Sequence, residues 1–281
     1  MTRCFFLAAF LALAASGSAQ QTPLNIFYRS NWQMVNPAAI DRALYLSRNH
    51  NTWVVTSAFR QQWIGLEGAP RTYFVSFEYC PESGSTRAGH RIGGTLLRDR
   101  TDALSSTTLN ANYSFFFPLP YKRGHILHLG LSPAIISSDL DIDALRLQDK
   151  NDPVPYYYEN RLFFDFSFGA MYRVRKEFYL GVSVPQFVSI KLNRFDQDSA
   201  RVRRNPHIYI NIGGFIQTGA ADRGDPLPDQ QVWTIEPSAW LRYAPGLTYS
   251  TLLRNFPFSL DGHLRFHYRR MVWGGFGYGT N

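Results

Sequence analysis

Beyond its first twenty residues the sequence holds a single cysteine, Cys80. That excludes an internal disulfide and any multi-cysteine metal site in the mature chain. Lysine is nearly absent too, since all but four of the 29 cationic residues are arginines. No mature segment approaches eighteen apolar residues in a row, which rules out a transmembrane helix there. Carboxylates are outnumbered as well, so the formal charge is +8 and the pI about 9.6. A basic chain can signal nucleic-acid binding, but here the arginines are spread along the whole length rather than clustered.

What is present points to export. Arg3 is followed by the apolar run CFFLAAFLALAA, of about a dozen residues, too short to span a bilayer. Gly17 and Ala19 then stand at the −3 and −1 positions for cleavage before Gln20. An exported chain has no access to DNA, so no nucleic-acid partner is expected. Arginine suits the phosphates of outer-membrane lipids and lipopolysaccharide better, because its planar fork binds them bidentately. A genome that favours arginine codons would give the same composition.

Aromatic residues make up 16% of the chain, with 22 Phe and 16 Tyr, yet mean hydropathy is slightly negative. Period-two alternation resolves this. It predicts eleven strands, near 52–63, 71–79, 88–98, 106–117, 125–136, 161–173, 177–190, 206–217, 230–243, 256–268 and 271–280. In HIYINIGGFIQ, Ile208, Ile210 and Ile212 oppose His207, Tyr209 and Asn211. In RLFFDFSFGAMYRV, Leu162, Phe164, Phe166 and Phe168 oppose Phe163, Asp165 and Ser167. Helical periodicity is confined to a short turn expected around NPAAIDRAL.

The first strand separates a soluble sheet from a membrane barrel. Trp53, Val55, Phe59 and Trp63 share one face, with Thr56, Ala58 and Arg60 on the other. At ~3.3 Å per residue the two tryptophans lie roughly 33 Å apart along an extended strand. A tilt of about 40° projects this to roughly 25 Å, the height of a lipid-facing band between aromatic girdles. Tyr73, Val75, Phe77 and Tyr79 repeat the pattern in the next strand. Long connections also alternate with short ones, as loops and turns do at the two ends of such a barrel. We therefore expect an all-β, antiparallel transmembrane barrel. Bacterial barrels close with an even count, so 12–14 strands are expected when complete, with a C-terminus that is incomplete here. The division is a signal peptide at 1–19, a plug-like periplasmic segment at 20–51, and the barrel from 52 to 281.

FRQQWIGLEGAPRT (59–72) resembles the YRxQWxGxxGAPxT signature of the PorP/SprF family, outer-membrane proteins of the type IX secretion and gliding systems of Bacteroidota. NIFYRSNWQMVNPAAID resembles that family's opening segment, in which an aromatic stretch leads into Asn-Pro-Ala. IEPSAWLRYAP (235–245) and FPFSLDGHLRFHYRRMVWGGFGY resemble its Pro-Ser and Trp-x-Gly strands. The family normally continues beyond the Trp-x-Gly strand, and Phe59 stands where tyrosine is common. The resemblance implies a non-enzymatic accessory that helps a cognate secreted protein reach or stay on the cell surface. Its partners would be that protein, the type IX translocon and periplasmic components. A general porin is the alternative.

The residues supply no catalytic constellation. His125 and His128, three apart in a strand, face opposite sides. His263 and His267 share a face but lie about 13 Å apart in an extended chain and lack the HExxH glutamate. No G-x-S-x-G elbow occurs. Asp139, Asp141 and Asp143 alternate in SDLDIDALRLQDKND (138–152), but Ala144 stands where a calcium loop turns on glycine and Lys150 replaces its closing glutamate. A solvated acidic loop is the favoured reading. Arg201, Arg203 and Arg204 in SARVRRNP suit lipopolysaccharide phosphates or a plain solvated loop. The GGFG stretch (274–277) is read as a strand whose glycines permit curvature. No cofactor or metal is called for. Arg60, Glu78 and Asp165 face the lumen, where burial without partners would be costly.

One stretch exceeds what a turn needs. In 59–72, Gly65, Gly68 and Pro70 shape the reversal, Trp63 anchors at the outer interface and Arg60 turns toward the lumen. Arg60, Gln61, Gln62, Trp63, Gly65, Gly68, Ala69 and Pro70 are together the expected partner-binding corner.

Overall fold

The computed structural model describes residues 32–39, 52–81, 88–120, 124–141, 161–174, 178–188, 190–191, 203–204, 206–218, 233–243, 258–268 and 272–280. The signal peptide, most of the 138–152 loop and Arg201 lie outside these residues. A four-residue helix, α1 (Trp32–Val35), precedes the strands. These are β1 (Thr52–Gln61), β2 (Arg71–Cys80), β3 (Gly89–Thr101), β4 (Leu104–Pro118), β5 (His125–Leu140), β6 (Arg161–Val174) and β7 (Phe178–Val184). There follow β8 (Ile190–Lys191), β9 (Arg203–Arg204), β10 (Ile208–Gly214), β11 (Ile216–Thr218), β12 (Trp233–Tyr243), β13 (Phe258–Tyr268) and β14 (Val272–Gly279).

Apart from the small β8–β9 ladder, all strands join one antiparallel sheet in the order β1-β2-β3-β4-β5-β6-β7-β10-β12-β13-β14, with β11 also on β12. Neighbours in sequence are neighbours in space, as in an up-and-down barrel. β10 and β11 keep a common register against β12 and are two pieces of one stave. Their interruption lies opposite Pro237, which has no N–H to give to the ladder. Eleven staves result, as the alternation predicts. Among the described residues, the outer edges of β1 and β14 do not pair with each other.

The sheet is apolar outside and polar inside. Outward positions on β1, β2, β6 and β10 carry Trp53, Val55, Phe59, Tyr73, Val75, Phe77, Leu162, Phe164, Phe166, Phe168, Ile210 and Ile212, all exposed. Inward positions carry buried Ser76, Glu78, Arg91, Asn110, Asn112, Asp165, Ser167, Asn211 and Glu236. A water-soluble sheet would bury the first set and expose the second. This inversion is what a strand-built membrane protein requires.

Part of the chain's N-terminal segment packs against the inner face. Residues 32–39 touch β3 through Arg91, β4 through Asn112, β6 through Ala170 and β7 through Tyr179. One short segment reaches all of these only because the sheet curls around it. The helix occupies Trp32–Val35, and of the NPAAIDRAL stretch only residues 36–39 are described, 40–44 lying outside the described residues. NPAA forms the turn that ends it, with Asn36 N–H on Trp32 O (2.8 Å) and Ala38 N–H on Asn36 Oδ1 (2.9 Å). Proline at 37 cannot donate to a continuing helix, and the Asn36 side chain takes up an N–H that helix ending frees.

Two strand ends also differ from expectation. β1 stops at Gln61, so Trp63 belongs to the connection and the extended-chain spacing from Trp53 does not apply. β5 continues to Leu140, placing Asp139 in a strand, where Ser137 Oγ donates to its carboxylate (3.3 Å). The connections 62–70, 102–103, 141–160, 185–207 and 244–257 emerge at one end of the sheet, and the longest are among them.

Candidate functional site

The corner after β1 is built by backbone geometry. Gln62 N–H donates to Pro70 O (3.0 Å), closing the loop at its base. Inside it, Leu66 N–H reaches Trp63 O (3.0 Å) and Ala69 N–H reaches Leu66 O (3.4 Å). The tight path needs left-handed backbone at Trp63 (φ 46°), Gly65 (96°) and Gly68 (74°). Two of the three are glycines, which take that conformation without a Cβ clash.

This corner is tied to its neighbour. Asp102 N–H donates to Gly68 O (2.9 Å), and Asp141 N–H donates in turn to Ala103 O (2.9 Å). Three successive connections are thus linked into one rim. A Cβ on Gly68 would lie 2.7 Å from Asp102 Oδ1. Gly68→Ala should therefore cost about 1–2 kcal/mol through its left-handed backbone alone, and more through displacement of Asp102. A urea unfolding curve of the refolded protein reads this, and an unchanged midpoint would refute the tie between the two turns.

The residues expected at the corner divide into three groups. Gly65, Gly68, Ala69 and Pro70 set its shape, with Ala69 buried. Arg60 pairs in register with Thr72 on the inward side, as expected, while Gln61 opposes Arg71. Gln62 is half-buried and holds the base. Trp63 stands at the apex, 67% exposed, beside Ile64 (85%) and Leu66 (63%). The corner therefore presents an apolar tip on a fixed base, with Arg60 leading away from it.

The lumen is the second organised place. Arg91, 3% exposed, pairs with Glu78 (3.0 Å), donates to Pro37 O (2.8 Å) and also bonds Ala39 O. Asn112 Nδ2 donates to Gln33 Oε1 (2.9 Å), and Asn36 Nδ2 to Ala170 O (3.3 Å). Three inward glycines leave room for the turn. A Cβ would meet Pro37 and Ala38 backbone at 2.3 Å from Gly130, Asn36 Oδ1 at 2.0 Å from Gly169 and Asn36 Nδ2 at 2.9 Å from Gly181. Trp32 meets Tyr179 edge-on at 5.0 Å. Tyr179 in turn donates to Glu236 Oε1 (3.2 Å), whose other oxygen bonds His267 Nε2 (2.8 Å).

The three lumen charges singled out by alternation all face inward. Glu78 takes Arg91, and Asp165 Oδ1 accepts the N–H groups of Phe166 (2.7 Å) and Val188 (3.0 Å). His125 and His128 do lie on opposite faces, one against Tyr172 and one buried beside Phe116. His263 and His267 share the inner face. Glycines of β14 alternate inward at 275, 277 and 279, where Cβ atoms would strike Leu264 O and Arg265, His263 and Asp261 in turn. Close approach of β13 side chains, with Arg265 over the Trp273 ring at 5.1 Å, accounts for them. Among the described residues no group of three or more His, Cys, Asp or Glu is placed to hold a metal ion.

Sequence reasoning missed Gln33, Arg91, Asn112, Tyr179 and Glu236. On the strands their only signal was a polar residue at an inward position, which says nothing of the partner across the lumen, and Gln33 lies in α1, where no strand period marks it. A family model described as type IX secretion system membrane protein PorP/SprF matches residues 17–281. Neither a curated protein nor a solved structure matches the chain.

Proposed function

Because the chain belongs to the PorP/SprF family of type IX secretion system membrane proteins, we propose that it is a non-enzymatic accessory of that system. Its task is to aid export, or retention at the surface, of a cognate secreted protein. The family match over nearly the whole chain carries this reading. It sits in the outer membrane after signal-peptide cleavage, with the 62–70 rim toward the cell exterior and the translocon and periplasmic components as further partners. The rigid rim with its apolar tip supports the 59–72 corner as the partner-binding surface, with Trp63, Ile64 and Leu66 as contacts. Exposed apolar groups on a fixed loop are the kind of anchor that interfaces use.

Deleting the gene should leave the cognate protein inside the cell or shed into the medium. Normal display on the deletion strain would end the proposal. Replacing Trp63, Ile64 and Leu66 together with serine should cut surface display about tenfold, the scale of a lost hot spot, while the barrel still forms. Undiminished display would move the contact elsewhere. The lumen segment speaks against a general porin. Large, steady conductance of the purified protein in a planar bilayer would restore that alternative.

A further inference from the structure

An arginine cluster lies on the outward face next to the rim. Arg71 of β2 stands directly across from Arg100 of β3, and Tyr73 across from Arg98. On the far side of β3, Arg100 opposes Ser105 and Arg98 opposes Thr107. Alternation puts all six on the outer surface, and the three arginines are exposed. One step further along the strands, the same face turns to Val75, Leu96 and Leu109. The guanidinium groups therefore sit where the apolar band ends.

Among the described residues, no carboxylate pairs with Arg71, Arg98 or Arg100, and Arg100 Nε meets only the Asp102 carbonyl, at 3.5 Å. The nearby Asp99 accepts from Thr72 Oγ1 (2.7 Å) on the inward side. Like charges directly opposite in an antiparallel pair destabilise it. Three of them together at the border of an apolar belt favour an anionic partner from outside.

We propose that Arg71, Arg98 and Arg100, with the hydroxyls of Ser105 and Thr107, form a binding site for a bisphosphorylated glycolipid of the lipid A type. This rests on the membrane-barrel reading. Arginine forks take phosphate oxygens two at a time, and hydroxyls add neutral donors. Two phosphates match three adjacent cations better than the single phosphodiester of an ordinary phospholipid. The acyl chains would run down Tyr73, Val75, Leu96 and Leu109, which already face outward. The site is separate from the Arg201, Arg203 and Arg204 stretch.

Native mass spectrometry of the full chain in detergent tests the site, using bisphosphorylated lipid A, its dephosphorylated form and phosphatidylglycerol. The wild type should retain lipid A about tenfold better than either other lipid, a difference of roughly 1.4 kcal/mol. Replacing Arg71, Arg98 and Arg100 together with glutamine should remove that preference, and with lysine should leave part of it. A triple glutamine variant that keeps heat-modifiable gel mobility and binds lipid A as the wild type does would overturn the proposal. So would equal binding of phosphatidylglycerol by the wild type. If the triple variant does not fold, R98Q and R100Q singly should each weaken retention about threefold, and no change in either would also overturn it. A wild type without heat-modifiable mobility would refute the barrel itself rather than the lipid site.

Discussion

Gly130→Ala should expel the Asn36–Ala39 turn from the lumen. The added Cβ would lie 2.3 Å from Ala38 N and Pro37 C and 2.6 Å from Pro37 O. These are backbone atoms, so no flexible side chain can swing aside. They are also held from behind, since Arg91 grips the carbonyls of Pro37 and Ala39. Forcing a methyl group into a filled site typically costs 1–3 kcal/mol, roughly the scale of the polar contacts that seat so short a segment. The strand ladder of Gly130 with Ser114 and Gly169 tolerates alanine, so the barrel should survive the loss. Limited proteolysis then reads cleavage near residues 32–39 in the variant and protection in the wild type. Single-channel recordings should show conductance that the wild type lacks. A variant as protected and as quiet as the wild type would mean that the turn does not fill the lumen.

Arg91→Ala should be strongly destabilising, at about 3–5 kcal/mol, because it removes the cation beside a buried carboxylate. Glu78 would keep its carboxylate inside the lumen with its cation gone, and two carbonyls of the lumen segment would lose their donor. The size of the effect comes from the partner left behind more than from the bond removed. Pairing Arg91→Met with Glu78→Gln therefore separates the two contributions. The double variant should recover a large part of the loss in urea unfolding, since neither charge of the pair remains buried. If Arg91→Ala alone shifts the midpoint no more than an exposed substitution does, the Glu78–Arg91 pair is not the tie described above.

Much of the fold was legible in the chain because strands report their faces with a period of two. Leu162, Phe164, Phe166 and Phe168 announce an apolar side whatever lies next to β6, and their exposure follows from lipid being the solvent on that side. Eleven staves could be counted for the same reason. Boundaries were harder, as at Gln61, because Gln62 and Trp63 continue the polar and aromatic alternation while the backbone has already turned left-handed. At 275, 277 and 279 glycine alone could not tell curvature from close approach. Only the lean of Asp261, His263 and Arg265 across β14 decides that.

The corner at 59–72 was legible as a motif, and its role as a fixed rim was not. Gly68 announces a turn, but the N–H that its carbonyl accepts belongs to Asp102, in another hairpin. The lumen lay further out of reach. Gln33 and Asn112, Arg91 and Pro37, and Tyr179 and Glu236 are far apart in sequence. The sequence by itself determined which side of each strand meets lipid, the eleven staves of the described residues and roughly where the chain turns, because those properties are local. Tertiary structure alone decided which inward polar groups meet, and that residues 32–39 lie among them. Those contacts depend on how far the whole sheet curls and on the register of every strand in between.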